Sequence, residues 1–491
     1  MASLTIRNLT ITPLELKHVE RFEGEAQPMP SGGAGEVIAN VTANVTGAIT
    51  SLFNKTAEQT PAAPAAPEPV KFWGVKRREG AGPHDQQDVS VSLAPFETKT
   101  TDIRAADPNR EVMHLVFEQP GGPGRYAVDC PAPSPQSVVM ERLDGADKEF
   151  TAVYIASAAT LAIFSSAQLP RWMGALADGY PLTALSIPGT HNSPTCHTAL
   201  PSVRCQAVGV REQLDNGVRF MDIRVSASPD SDDLTLVHSA FPISLTGNKY
   251  LADLLRDCYE FLDANPSEVL LMSLKREGTG KGSDADLSRY LRDRYLGGDD
   301  ARRWYTDPSI PRLGDVRGRI VLVRRFGLDD SMRGEHDGRG WGVDGSSWPD
   351  NCADGTCGSN QIRVQDFYEV DQATNIEKKI ELARAHLERC GEQTFNIAGG
   401  DEHPSPFFVN FLSASNFFNA NCWPDRIAQK VNPAVIEYLC VRHGDHGKGP
   451  GQLSVGDACT GVVVTDWVGY RGDWDLIRCI VGWNARLQLK Q

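Results

Sequence analysis

The stretch Leu185-Ser186-Ile187-Pro188-Gly189-Thr190-His191-Asn192-Ser193 decides how the rest of the chain is interpreted. Leu185 and Ile187 favour a buried strand, which Pro188 and Gly189 are expected to end. His191 then stands at the start of a loop. Polar residues that follow the carboxyl ends of buried strands carry the chemistry of many α/β folds. His191 is therefore a candidate catalytic residue, although a loop histidine can equally be structural, and its role depends on partners elsewhere.

Apolar runs of the same kind recur from about residue 168 onwards and alternate with helical patterns. Near-continuous apolar runs are typical of parallel strands that are covered on both faces. Seven or eight such strands favour a (β/α) barrel over an open sheet. Helices are predicted at 250–264 and 284–295. The predicted strands are 185–187, 218–224, 234–238, 269–275, 320–325, 407–411 and 461–466.

Most of these runs end in a charged or titratable side chain, although a buried strand needs none. The residues are His191, Asp222, Arg224, His238, Lys275, Arg325 and Asp466. In a barrel all of these strand ends converge on one mouth. Two histidines can act as general base and general acid, and the cationic side chains suit a phosphate. This set predicts proton transfer on a phosphodiester, with a hydroxyl of the substrate itself as the nucleophile.

The N-terminal third has a different pattern. Short strand-like runs at 89–93, 112–117 and 126–128 are separated by Pro and Gly, which predicts a mainly β, sandwich-like domain over residues 1–165. A catalytic α/β domain is then expected over 166–491. Residues 31–70 are predicted to be a flexible insert with linker-like ends. Apolar residues at helical spacing between 38 and 53 could dock on their own domain, remain disordered, or lie weakly on a membrane.

Composition excludes some classes of function. The 491 residues carry a net charge of −14, and the low isoelectric point, near 5.3, argues against a broad nucleic-acid surface. No secretory signal is visible at the start, so a cytoplasmic location and reduced thiols are expected for the 11 cysteines. Cys196/Cys205 and Cys352/Cys357 are close enough in sequence to pair in an oxidising compartment. The uncharged run at 150–170 is marginal for a membrane span and is interpreted as buried strands.

The motifs identify a family. Ser186-Ile187-Pro188-Gly189-Thr190-His191, Gly217-Val218-Arg219-Phe220-Met221-Asp222-Ile223-Arg224 and Leu236-Val237-His238 resemble the X-domain motifs of bacterial-type phosphatidylinositol-specific phospholipase C. The similarity extends in order from about Trp172 to Asp466 and leaves the N-terminal third outside. Further motifs lie at 265–268, 272–275, 314–322, 348–351, 364–368 and 431–433.

The resemblance implies a distorted TIM barrel that cleaves phosphatidylinositol, or a glycosyl-phosphatidylinositol, to diacylglycerol and a cyclic inositol phosphate at a membrane surface. It implies that His191, oriented by Asp466, is the general base on the inositol 2-hydroxyl and that His238 is the general acid. Arg224, beside Asp222, would bind the phosphate. The residues implied for the inositol and the lipid-facing rim are Lys275, Arg325, Asp366, Tyr368 and Trp348.

Asn192 departs from the bacterial pattern, which has Asp directly after the first histidine. Calcium-dependent relatives do have His-Asn, with the Asn as a metal ligand, but they need acidic residues where this chain has Arg224 and Lys275. We therefore expect a reaction without a metal or another cofactor, and with a general acid that lacks an adjacent carboxylate.

Several alternatives stay open at this point. Asp222 could serve only as an ion-pair partner, Lys275 and Arg325 as rim charges, Tyr368 as a packing residue and Asp466 as a structural cap. The same barrel could act on another phosphodiester, such as a ceramide phosphoinositol. The chain could also be a catalytically weakened protein that binds a lipid or a partner.

Overall fold

The computed structural model describes residues 2–28, 72–131, 137–165, 168–372, 374–396, 406–445 and 456–491. The insert predicted at 31–70 and the helical pattern at 38–53 therefore lie outside the described residues.

Residues before 166 form two sheets whose inward side chains share one core. The period-two runs predicted at 89–93, 112–117 and 126–128 are strands, which is confirmed by their pairing. The core between the sheets includes Ile6, Leu115 and Ile163, all fully buried. The strands are β1 (Ser3–Leu9), β2 (Leu14–Pro28), β3 (Phe72–Arg77), β4 (Asp85–Leu93), β5 (Thr98–Arg104), β6 (Glu111–Glu118), β7 (Arg125–Cys130), β8 (Ser137–Val139), β9 (Glu141–Arg142), β10 (Phe150–Ile155) and β11 (Thr160–Ser165).

Their arrangement is β5-β1-β11-β10-β8 in one sheet and β3-β2-β6-β7-β9 in the other, where β4 also pairs with β2. The uncharged run at 150–170 supplies β10 and β11, which are buried along nearly their whole length. None of the helices in the described part of the chain is both long and apolar enough to cross a bilayer.

The remainder of the chain alternates strands with helices, as predicted. The strands are β12 (Ile187–Thr190), β13 (Phe220–Ser228), β14 (Ser231–His238), β15 (Phe241–Pro242), β16 (Leu270–Arg276), β17 (Trp304–Tyr305), β18 (Ile320–Arg325), β19 (Val343–Asp344), β20 (Gly355–Cys357), β21 (Ile362–Gln365), β22 (Phe407–Phe411) and β23 (Val462–Thr465). The helices are α1 (Val210–Asp215), α2 (Leu251–Ala264), α3 (Asp284–Tyr290), α4 (Thr374–Gly391), α5 (Pro424–Val441), α6 (Asp475–Trp483) and α7 (Ala485–Gln488).

Eight parallel strands follow the order β19-β18-β16-β13-β12-β23-β22-β21. The first and last of them along the chain, β12 and β23, are neighbours, which is the strand order of a (β/α)₈ barrel. The ladder is interrupted at one place, since no backbone pairing joins β19 to β21 within the described residues. We call this interruption the seam.

The first barrel strand begins later than predicted. Residues 182–184 form a 3₁₀ turn, and β12 includes Pro188 and Gly189, which the sequence pattern had placed at its end. Pro188 fits because pairing with β13 begins only at Gly189, so its missing N–H removes no bond of that ladder. Gly189 fits because a Cβ there would lie 3.0 Å from the Cβ of Phe220.

The run at 234–238 is not a parallel barrel strand, so this prediction was wrong. β14 pairs antiparallel with β13. Only Pro229 and Asp230 separate the two strands, and a connection of two residues can join only antiparallel neighbours. His238 therefore reaches the mouth on a hairpin that lies outside the eight parallel strands.

The N-terminal sheets pack on barrel helices. Leu9 and Phe164 share a core with Leu439 of α5 and Ile480 of α6. Arg7 of β1, nearly fully buried, donates hydrogen bonds to the carbonyls of Cys440 and His443 and to Asp445 at 2.7–3.0 Å. The division into domains at residue 165 remains a prediction, and these contacts show that the two regions share one core.

All eleven cysteines are reduced, and the pairs that are adjacent in sequence form no disulfides. Thiols that are distant in sequence approach each other instead. The Sγ atoms of Cys390 and Cys459 are 3.5 Å apart, and those of Cys440 and Cys479 are 3.8 Å apart.

Candidate active site

Strand alternation places the predicted residues inside the barrel mouth. Phe220 lies in the barrel core, so Asp222 and Arg224, two and four residues further along β13, face the same interior. Backbone register then aligns Arg224 with Lys275 on β16, and Lys275 with Arg325 on β18. Three cationic side chains consequently form one row across three neighbouring strands.

His191 is held from both sides at the end of β12. Its backbone N–H donates to the carbonyl of Thr465 at 2.9 Å, and its Nδ1 lies 2.9 Å from Oδ1 of Asp466. Burial raises the pKa of Asp466, while the charges of Arg224 and Lys379 act against that rise. Burial and the Arg224 guanidinium hold the pKa of His191 well below its usual value. His191 is thus neutral near pH 7 and can accept a proton at Nε2 when Nδ1 donates to Asp466.

His238 faces His191 across the mouth, with 5.6 Å between the ring centroids and an interplanar angle of 85°. Its Nδ1 lies 2.7 Å from the carbonyl oxygen of Val203, which can accept only if Nδ1 carries the proton. The thiol of Cys205 lies 3.6 Å from the same nitrogen. Burial and the charge of Arg224 lower the pKa of His238 to about 4.

Arg224 is fixed between two carboxylates. It pairs with Asp222 at 3.0 Å and with Glu277 at 3.2 Å. Although burial acts to raise the pKa of Glu277, the charges of Arg224 and Lys275 lower it to about 2. Glu277 also accepts hydrogen bonds from the Nζ of Lys275 at 2.7 Å and the backbone N–H of Ser239 at 2.9 Å. It therefore joins the cationic row to the loop that follows His238.

Beyond this row, around Arg325, the mouth carries other residues assigned to the head group. Arg325 stacks on Trp348, with its guanidinium carbon 4.1 Å from the ring centroid. The indole N–H of Trp348 donates to Asp366 at 3.1 Å, and Asp366 lies 4.0 Å from Arg325. Trp348 is half-buried in this cluster. Its indole contacts Arg325 and Asp366, whereas the resemblance implied a position at the lipid-facing rim. The Tyr368 hydroxyl donates to Asp350 at 2.7 Å.

Asn192 has a constrained backbone and an unpaired side chain. Its φ is 41°, and its N–H donates to Oδ2 of Asp222 at 3.1 Å. The side-chain amide is fully buried and makes no hydrogen bond with the described residues. A buried amide without a partner is costly, which suggests that a ligand completes its hydrogen bonds.

The donor set does not fit the calcium site of the metal-dependent relatives. Of the acidic residues that such a calcium site needs, Asp222 is the one present in this chain. Both of its carboxylate oxygens already face guanidinium groups, that of Arg224 at 3.0 Å and that of Arg325 at 3.4 Å. Although burial would raise the pKa of Asp222, these charges hold it below its usual value. A fixed guanidinium occupies the place where a cation would have to bind.

Four residues near the site escaped the sequence reasoning. Glu277 lies two residues after Lys275, at the end of the strand next to that of Arg224. The two-residue alternation of side chains along that strand could have predicted that it faces the same site. Cys205 and Val203 lie in the irregular loop after β12, where no periodicity applies. Lys379 of α4 is fully buried, and its Nζ donates to the Phe367 carbonyl at 2.6 Å; burial lowers its pKa to about 7.

Comparison with known proteins agrees with this architecture. Residues 179–326 match the sequence model of "Phosphatidylinositol-specific phospholipase C, X domain". The chain is 29% identical over 315 residues to a 1-phosphatidylinositol phosphodiesterase of Staphylococcus aureus, covering 61% of this chain and 88% of that protein. It is 33% identical over 171 residues to a Listeria monocytogenes protein of the same name, covering 33% of this chain and 50% of that protein.

A solved structure of the S. aureus phosphatidylinositol-specific phospholipase C superimposes with a TM-score of 0.50 at 26% identity, covering 64% of this chain and 97% of that one. In fold and in sequence the chain is thus similar to a phospholipase C-type barrel. Over residues 179–326 the chain is similar to the X domain of phosphatidylinositol-specific phospholipase C, the resemblance that its motifs predicted.

Proposed function

We propose that this chain cleaves the phosphodiester bond of phosphatidylinositol-type lipids without a metal, giving diacylglycerol and a cyclic inositol phosphate. The observation that carries the proposal is the facing pair His191 and His238, 5.6 Å apart, beside the ion-paired Arg224. Of two imidazoles on opposite sides of a phosphate, one can accept the proton of the attacking hydroxyl and the other can donate a proton to the leaving oxygen.

His191 acts as the general base. Its Nε2 removes the proton of the inositol 2-hydroxyl, and the 2-oxygen attacks phosphorus. The P–O bond to diacylglycerol breaks as the new P–O bond closes the ring. Asp466 stabilises the imidazolium that forms, since its Oδ1 lies 2.9 Å from Nδ1. The nearby Lys379 helps to keep this carboxylate ionised.

His238 donates the proton that the diacylglycerol oxygen needs as it leaves. In the free protein its pKa of about 4 leaves it unprotonated near pH 7. Arg224 is one cause of this low pKa, and a bound phosphodiester anion offsets that charge. Substrate binding therefore raises the pKa of His238 toward the range in which it can carry a proton.

The head group is recognised by the residues that continue the row from Arg224 around the mouth. Arg325, Asp366 and Lys275 present charged donors and acceptors suited to ring hydroxyls, and the half-buried indole of Trp348 fixes Arg325. Arg224 and the unpaired amide of Asn192 are placed to donate to the phosphate oxygens.

Replacing His191 by Ala tests this assignment. We expect phosphatidylinositol cleavage to fall by 10³-fold or more, because the general base is lost, while the wild-type rate is unchanged by EDTA. Phosphorus NMR of the water-soluble product should show a five-membered cyclic phosphate. His18→Ala, on β2 far from the mouth, is the matched control. EDTA-sensitive turnover would overturn the metal-free mechanism, and an acyclic product would overturn attack by the 2-hydroxyl.

An aromatic cluster beside the mouth supports contact with a membrane. Phe241, three residues after His238, stacks on Phe417 with 5.3 Å between the ring centroids. Phe418 packs against Phe417 and is 94% exposed. Exposed aromatic rings next to a lipid-cleaving site are suited to the interface of a bilayer.

We expect Phe418→Ser to weaken binding to phosphatidylinositol vesicles several-fold, because an exposed ring no longer enters the interface. Cleavage of a short-chain, monomeric phosphatidylinositol should change by less than two-fold. Sedimentation with sucrose-loaded vesicles measures the binding. Leu489→Ser, another exposed apolar residue outside the mouth, is the control; equal losses in both variants would contradict a specific contact.

A further inference from the structure

One thiol lies between the two histidines and has no role in the proposed reaction. Cys205 is fully buried, and its Sγ is 3.6 Å from Nδ1 of His238 and 3.4 Å from the Val203 carbonyl oxygen. One donor atom from each of His191, Cys205 and His238 falls in a group whose members are all within 4.8 Å of one another.

This is a set of ligands for a borderline-soft divalent cation. Zinc binds imidazole nitrogen and thiolate sulfur tetrahedrally, and its bond lengths place neighbouring ligands roughly 3.5 Å apart. Sγ of Cys205 and Nδ1 of His238 already have this spacing, and a cation at Nδ1 would replace its hydrogen bond to the Val203 carbonyl. The widest separation, up to 4.8 Å, needs a shift of about an ångström. His191 is oriented by Asp466 through the opposite ring nitrogen, the arrangement in which carboxylates support histidine ligands.

The charges around the three residues are close to balanced, although the Arg224 guanidinium that lowers the pKa of both histidines also disfavours a cation at the same rings. The cationic side chains Arg224, Lys275, Arg325 and Lys379 are matched by the carboxylates Asp222, Glu277, Asp366 and Asp466. Arg224, the cation beside the histidines, is paired with both Asp222 and Glu277. Metal binding would also convert the Cys205 thiol to a thiolate, releasing its proton to solvent and adding one negative charge at the site.

We propose that His191, Cys205 and His238 form an inhibitory site for a soft divalent cation, for which zinc is the probe. A cation held by both histidines occupies the space in which the phosphodiester has to lie, so occupancy and catalysis exclude each other. Inhibition rests on the proposed function, whereas binding does not. The site differs from the calcium site of the metal-dependent relatives because it uses the thiol and not Asp222.

Cobalt(II) titration of the full chain, followed by zinc displacement, tests binding directly. We expect one cobalt per chain with thiolate-to-metal charge-transfer absorption, and loss of that absorption in Cys205→Ser. Cys196→Ser, a thiol in the same loop, is the matched control and should retain it. His238→Ala should weaken zinc binding at least tenfold while leaving the thiol in place. Absorption that persists in Cys205→Ser, or no binding to the wild type, would overturn the proposal.

Inhibition is measured as the rate at which the chain cleaves phosphatidylinositol vesicles at fixed zinc concentrations. Zinc should inhibit over the concentration range in which it binds, EDTA should restore the full rate, and Cys205→Ser should need at least tenfold more zinc for the same fractional loss. Binding without inhibition would overturn the inhibitory role. A protein that binds zinc but never cleaves the lipid would overturn the proposed function and leave the metal site standing.

Discussion

His238 is held by a backbone carbonyl where the bacterial pattern uses a carboxylate. Val203 accepts from Nδ1 at 2.7 Å, which fixes the ring and leaves Nε2 toward the mouth. A neutral carbonyl orients an imidazole but adds no negative charge, so the pKa of His238 stays at about 4. Asn192, which stands at the position of the missing carboxylate, hydrogen-bonds Asp222 through its backbone alone.

This arrangement predicts a pH dependence. Protonated His238 is lost from the free protein as the pH rises through about 4, whereas a bound phosphate raises that pKa. The alkaline limb of kcat/KM, which reports the free protein, should therefore lie at lower pH than the limb of kcat. Rate profiles between pH 4 and 9 measure both.

Asn192→Asp provides the comparison for these profiles. A carboxylate at this position favours the charged imidazole, so the kcat/KM limb should move to higher pH. Coincident limbs in the wild type, or a limb that persists in His238→Ala, would show that another group controls the rate.

Sequence reasoning succeeds at this scale where a residue ends a strand. Arg224, Lys275 and Arg325 could be predicted as neighbours because parallel strands bring equivalent positions together. Cys205 and Val203 could not, because their approach to His238 depends on how an irregular loop folds over the mouth. The unpaired amide of Asn192 is likewise visible only once all of its neighbours are placed.

Among the elements, the hairpin of β13 and β14 determines where His238 stands. The apolar run at 234–238 looks like a barrel strand because burial on both faces gives the same pattern in either case. The two-residue connection was the distinguishing signal. In β12, by contrast, Pro188 and Gly189 suggested an end, and neighbouring strands overrode that local preference.

Arg7 stabilises the C-terminal end of α5 from a strand of the N-terminal sheet. Arg7→Ala removes the charge-assisted hydrogen bonds to two carbonyls at that helix end and to Asp445. We expect the free energy of unfolding to fall by about 3 kcal/mol. Urea denaturation measures the change.

Arg142→Ala, a half-exposed arginine on β9, should cost less than about 1 kcal/mol and serves as the control. Equal effects of the two substitutions would mean that the sheet does not brace the helix.

At the scale of the molecule, several buried histidines make stability depend on pH. Burial lowers the pKa of His443 to about 4, and its Nε2 lies 2.9 Å from the Ala458 carbonyl. The unfolded chain takes up this proton near pH 6.5 and the folded one near 4, so stability is full above 6.5 and declines as the pH falls toward 4.

His443→Gln should therefore flatten the dependence of unfolding free energy on pH by about 1.4 kcal/mol per unit between pH 6 and 4.5. Urea titrations at several pH values test this slope. An equal slope in the wild type and His443→Gln would contradict the assignment.

The barrel topology could be predicted in part, because six of the seven predicted apolar runs belong to the parallel strand order, whereas the short β19 and β21 were not predicted. The packing of the N-terminal sheet on α5 and α6 could not. It depends on apolar faces such as those of Leu9 and Phe164, whose partner surface has no signature along the chain. The interruption between β19 and β21 could not be predicted from the sequence either, because the composition of each flanking strand is ordinary.

The seam divides the residues of the mouth into those whose spacing is set by backbone pairing and those that meet through side chains alone. His191, Arg224 and Asp466 stand on β12, β13 and β23 or directly after them, where an unbroken backbone ladder fixes their spacing. Arg325 and Asp366 meet across the seam through side chains alone. If the proposed roles hold, substitutions at the seam alter which head group is recognised without disturbing the register of His191, Arg224 and Asp466. Descendants of such a barrel can change substrate while inheriting the same reaction.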